Sequence, residues 1–145
     1  MLTTVLGVMV IILGLICWFG QTLAVFCPNL AVQLGVAELE EELDRSMYLF
    51  ERYSQGIVDV LLTWILPVAA LMMLYEIKYW PVLALVGGGV YLYFPGVFTI
   101  TRIVLKKDGR KVGSRVSEAT AYILGALWFL SAIYMIALAV LELGK

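Results

Sequence analysis

Apolar residues fill this chain in long blocks rather than in alternation. No charge occurs in the first 37 positions, and two uncharged runs of 23 residues follow later, Tyr79–Thr101 and Ala119–Leu141. Between Tyr53 and Tyr75 the one charged residue is Asp59. A helix needs about 20 apolar residues to cross the hydrocarbon core of a bilayer, so each block can make one crossing. Strands of a membrane barrel would alternate polar and apolar positions, which these blocks do not. In hydrocarbon every backbone polar group needs an internal partner, and a helix supplies it within one segment. The pattern predicts an all-α integral membrane protein, an up-and-down bundle of four transmembrane helices at about 3–26, 57–75, 81–104 and 119–141, forming a single domain over 1–145.

A fifth element is expected outside the spans. Leu39, Leu43, Met47 and Phe50 recur at intervals of 4, 4 and 3, one stripe of an amphipathic helix. Glu38, Glu41, Glu42 and Arg45 lie on the other side, with Glu41 and Arg45 at the favourable i, i+4 spacing. The spacing predicts a surface helix over about 36–53 that runs into the second span.

Composition agrees with the blocks. At 63% hydrophobic and 14% charged, the chain departs from soluble proteins, where roughly half and a quarter are usual, so a water-facing surface could not cover its apolar content. The first block has no basic n-region, and its apolar stretch exceeds the roughly 7–15 residues of a signal peptide, so a retained helix is expected.

The charges are segregated. Six of the eleven acidic residues fall between Glu38 and Glu51, and six of the ten basic residues between Arg102 and Arg115. Four spans put the 27–56 and 105–118 loops on one side with eight Lys and Arg, and leave Lys78 and Lys145 on the other. Lys and Arg bias sets orientation, so the loops are expected in the cytoplasm and both termini outside, at a plasma (bacterial inner) membrane. Arg102, Lys106 and Arg110 follow one another at i+4. Three readings of the two clusters are open: each is simply solvated, the acidic segment docks on the basic loop, or Glu38, Glu41 and Glu42 form an acidic site for a metal or a partner.

Candidate chemistry is sparse. There is no histidine, which excludes imidazole-bound metals and histidine acid–base chemistry. Cys17 and Cys27 are ten residues apart on one predicted helix, about 15 Å, too far for a disulfide. No phosphate-binding loop, dinucleotide fingerprint or metal motif occurs, and no cofactor, metal or nucleic acid is expected. Asp59 is the one ionisable group well inside a span, with Thr63 a turn further on. Arg102 should sit at similar depth, so an Asp59–Arg102 bridge is expected, with a proton or ligand site as the alternative.

Pro67 and Pro95 interrupt two spans and should free the carbonyls of Thr63 and Tyr91. Gly87, Gly88 and Gly89 permit close helix approach, and Tyr91, Tyr93 and Pro95 beyond them could line a cleft. Gly7, Gly14 and Gln21 on the first span, and Gly125, Ala132 and Ala139 on the fourth, form seven-residue packing seams. Gln21 should bond across a helix interface. Trp64 and Trp128 should pack inside the bundle, while Trp18, Tyr79 and Trp80 suit the membrane interfaces. Three functions fit these features. The leading one is a non-enzymatic accessory or assembly protein that binds a membrane-protein partner or forms a homo-oligomer in the lipid bilayer. The others are a small oligomeric transporter or channel using Asp59, and a protein that binds or modifies a lipid-like molecule near Tyr91–Pro95 and Arg102.

Overall fold

The structure, a computed structural model, describes residues 2–145, with side chains from Thr3 onward. Helix accounts for 83% of it and no strand forms among the described residues, so the all-α expectation holds. In chain order the helices are α1 (Leu2–Phe26), α2 (Pro28–Gln33), α3 (Arg45–Leu49), α4 (Gly56–Leu62), α5 (Ile65–Leu74), α6 (Trp80–Lys107) and α7 (Arg115–Leu143). A π-helical turn over Phe50–Gln55 joins α3 to α4, so α3 to α5 form one long second helix. Four helices are therefore long and apolar enough to cross a membrane: Thr3–Phe26, Arg45–Leu74, Trp80–Lys107 and Arg115–Leu143.

Close contacts fix the up-and-down order. Gly7 faces Met73 and Leu74, Gly14 faces Pro67 and Gly56 faces Val25, so α1 and the second helix run antiparallel. Gly87 lies on the backbone of Leu66, where a Cβ would come within 2.7 Å of the Leu66 nitrogen. Its neighbour Gly88 lies on Ile136 of α7, and Gly89 meets nothing within 4 Å. Adjacent glycines on α6 thus admit two different helices, and the third faces outward. The shared core gathers Val10 and Cys17 from α1, Leu66 and Ala70 from α5, Tyr91 and Phe94 from α6, and Trp128, Ala132 and Met135 from α7.

The second helix breaks at residues 63–64, between α4 and α5. Pro67 has no N–H to give to Thr63, four residues back, and the break leaves other carbonyls short of donors as well. Aromatic side chains fill the gap. Tyr91 Oη donates to the Thr63 carbonyl at 2.8 Å, Trp18 Nε1 to Val60 at 3.0 Å and Trp64 Nε1 to Leu61 at 2.8 Å. Trp128 Nε1 in turn donates to the Leu13 carbonyl at 3.0 Å, tying α7 to α1. Trp64 reaches its carbonyl from the outside and is exposed, contrary to the interior position expected for it.

The surface helix expected over 36–53 does not form. Residues 34–37 turn, Leu39 is extended, Glu40–Glu42 make a single 3-10 turn, and α-helix resumes only at Arg45. Leu43 is extended and forms an isolated antiparallel bridge with Val112, while Asp44 accepts from Ser46 N at 2.9 Å and caps α3. Backbone that pairs with another segment cannot also close helical turns. The apolar stripe still has a use: Leu43 and Met47 bury against Val112, while Leu39 stays exposed.

Candidate functional site

Two polar regions meet at one end of the bundle. The first is the junction of the acidic and basic segments, and here the structure brings together residues that the sequence only suggested. Around the Leu43–Val112 bridge, Asp44 N donates to the Lys111 carbonyl at 2.8 Å and Gly113 N to the Glu42 carbonyl at 3.2 Å. Lys111 Nζ reaches the Glu41 carbonyl at 3.2 Å. Glu38 Oε1 accepts from the amide and hydroxyl of Ser114, at 3.1 and 3.2 Å, at the start of α7. Gly113 has φ +95° and lies directly under the Glu38 carboxyl, so neither its conformation nor the space beside it suits a side chain. The acidic segment docks on the basic one through extended backbone, not through a helix.

The cations at i+4 spacing take different acids. Arg102 pairs with Glu51 at 2.9 Å, Lys106 with Glu118 at 2.6 Å, and Arg110 with Asp44 at 3.3 Å and Asp108 at 2.8 Å. Arg110 is an exposed pair of the kind that contributes about 0–1 kcal/mol. Arg102 is different. It is 4% exposed, also donates to the Val112 carbonyl at 2.8 Å, and lies 4.5 Å from the centre of the Phe98 ring.

The neighbouring Glu38 carboxyl and its charge hold Glu42 above the usual carboxylate range. Burial pushes Glu38 up, but hydrogen bonds from Ser117, Glu42 and Ser114 together carry it below that range. The Ser46 amide lowers Asp44, and Arg110 lowers it further. Glu41 enters through its backbone. The three glutamates do not converge as ligands, and among the described residues no group of three or more Cys, Asp or Glu could hold a metal ion.

The second region runs inward from Glu51. Glu51, Gln55, Asp59 and Thr63 recur every four residues and share one face of the second helix, apart from the offset of the π turn. The expected Asp59–Arg102 bridge is absent. Arg102 is held by Glu51, eight residues or about 12 Å before Asp59, and cannot serve both. Asp59 is 3% exposed and packs near Cys17 of α1 and Tyr91 of α6. Thr63 Oγ1 donates to the Asp59 carbonyl at 2.7 Å, not to its carboxyl. Gln55 Nε2 donates to the Phe94 carbonyl at 3.2 Å.

The remaining candidates do not form a cleft. Tyr91 and Pro95 are buried, whereas Tyr93 is 73% exposed on the other face of α6. Successive odd positions on a helix point about 200° apart, which separates them. Gln21 is half-buried and takes part in none of the cross-helix hydrogen bonds among the described residues; Trp18 makes that link, one turn away. Sequence reasoning overlooked Glu51, Gln55 and Glu118. The four-residue polar spacing from Glu51 to Thr63 was the available signal for the first two, and an acid in the first turn of α7 for the third. Grooves open on the surface at two places relevant here. One of about 530 Å³ lies at the charged junction, beside Glu41, Lys111 and Arg115. The other, of about 390 Å³, lies between α1 and α5 and is lined only by apolar and tryptophan side chains such as Ile11, Trp18 and Trp64. No family model, curated protein or solved structure matches the chain.

Proposed function

We propose that the chain is a multi-pass membrane protein of accessory or assembly type, without catalytic activity, that binds a membrane-protein partner or a second copy of itself through its charged end. One observation supports this most: the bundle uses its polar groups to hold itself together. Trp18, Tyr91 and Trp128 bond to backbone carbonyls, and Arg102, Lys106 and Arg110 bond to the chain's own acids. Arg45, Lys107 and Arg115 are exposed at the rim and belong to no ion pair among the described residues. A rim of this kind selects a partner of complementary charge. On the Lys and Arg count it faces the cytoplasm, with both termini outside.

The test is purification in mild detergent from the native membrane, with mass spectrometry of co-purifying proteins and native mass of the complex. Lys107→Glu with Arg115→Glu is run beside the wild type. A stoichiometric partner or dimer that the double variant loses, at unchanged melting temperature, is expected. A bare monomer, or a partner that the variant retains, overturns the reading. A small oligomeric transporter or channel is the second reading, and the position of Asp59 inside the bundle favours it.

A further inference from the structure

Asp59 belongs to no ion pair among the described residues, and its Oδ2 is buried with no hydrogen-bond donor. Gln55, one turn earlier on the same face, directs its amide nitrogen to the Phe94 carbonyl, which leaves Oε1 as a second buried acceptor with no donor. Acceptors are costly to bury unpaired, and native interiors rarely leave two within one turn of the same helix. The two hydroxyl donors nearby are committed elsewhere. Thr63 gives its hydroxyl to the Asp59 carbonyl and Tyr91 gives its own to the Thr63 carbonyl. The groups that face Asp59 are Gln55 and Thr63 on its own helix, Cys17 from α1 and Tyr91 from α6. Arg102, the nearest buried cation along the line, is held by Glu51 and Val112.

We propose that Asp59 and Gln55 form an intramembrane site for one monovalent cation, a proton or a sodium ion. One positive charge between the two oxygens satisfies both. A proton on Asp59 Oδ2 is donated to Gln55 Oε1; a sodium ion is coordinated by both. One carboxylate matches one unit of charge, which fits a monovalent and not a divalent ion. The site has a polar approach, because Glu51, Gln55 and Asp59 step inward from the charged end every four residues. The π turn over Phe50–Gln55 lies on that approach, a feature frequent at functional sites. The site is independent of whether the rim binds a partner.

The experiment is infrared difference spectroscopy on the full chain in vesicles. The chain has three aspartates, so Asp44→Asn with Asp108→Asn and carbon-13 aspartate makes the labelled carboxyl that of Asp59 alone. In sodium-free buffer at neutral pH a labelled carboxylic-acid band is expected, and Gln55→Leu should shift it by removing the acceptor. Loss of the band on adding sodium chloride, but not potassium chloride, identifies sodium as the occupant. A band indifferent to both salts identifies the proton. A labelled carboxylate from mildly acid to alkaline pH, with no acid band and no response to sodium, overturns the proposal.

Discussion

Tyr91→Phe should expose how the broken second helix is held. The substitution keeps the ring, which is buried and meets Phe94 edge-on at 5.1 Å between centroids. It removes only the hydroxyl that donates to Thr63 at 2.8 Å. Because Pro67 has no N–H to offer, the Thr63 carbonyl is then left with no donor at a fully buried position. A buried acceptor without a partner costs about 1–3 kcal/mol, and measured helix-to-helix hydrogen bonds in membranes average about 0.6 kcal/mol, so a loss of about 1 kcal/mol is expected. Pro67→Ala restores an amide in reach of the same carbonyl. In that background Tyr91→Phe should cost about half as much or less, and the double-mutant cycle removes the separate cost of the lost ring. Unfolding in mixed micelles, followed by tryptophan fluorescence, measures all four corners. An equal loss in both backgrounds, or none in the wild type, refutes the reasoning.

Three further outcomes follow from the geometry. Gly87→Ala should destabilise by about 1–3 kcal/mol because its Cβ would meet the Leu66 backbone, whereas Gly89→Ala, with nothing within 4 Å, should be neutral or slightly stabilising; melting temperatures of the two variants decide. Arg102→Met strands a partly buried Glu51 and should cost about 3–5 kcal/mol, with Glu51→Gln in the same chain restoring most of it; no rescue in thermal unfolding would mean that the pair is not what Arg102 supplies. Glu38 is held below the usual carboxylate range, so its contribution is present above the unfolded value and lost as pH falls through the folded one. Hydrogen exchange at the Ser114 amide should therefore quicken on acidification relative to Glu38→Gln, and parallel profiles would sink the assignment. Glu42, held above that range, acts in the opposite sense: its share is present below the unfolded value and fades as pH rises through the folded one.

Uncharged runs are long-range statements about solvent, and they made the four long helices readable from the chain. The start of the second helix was not. The second span was expected from about residue 57, yet the long helix begins at Arg45, and Glu51 within it pairs with Arg102 from another helix. The carbonyl freed by Pro67 was legible, because that loss is local to i−4. Its donor was not, since only the packing of α6 on α5 brings Tyr91 to it. Arg102 was expected level with Asp59 and instead meets Glu51, because two acids eight residues apart lie on one face and only the packing of α6 selects between them. The extended bridge at Leu43 was invisible for a different reason. Its stabilisation comes from Val112, far along the chain, while the local pattern of apolar residues pointed to helix.

The glycine step on α6 sets a phase for the whole molecule. Gly87 seats the second helix, Gly88 seats α7, and Arg102 on the same rigid rod closes the clamp at the charged end, 15 residues or about 22 Å further along. One residue inserted between Gly88 and Arg102 would turn everything beyond it by about 100°, leaving either the seats or the clamp correct but not both. Four inserted residues, close to one full turn, would restore the facing of both while shifting the clamp about 6 Å along the axis. Folded yield should accordingly collapse for a single alanine placed after Gly96 and recover in part for four, a periodicity that loosely packed helices would not show.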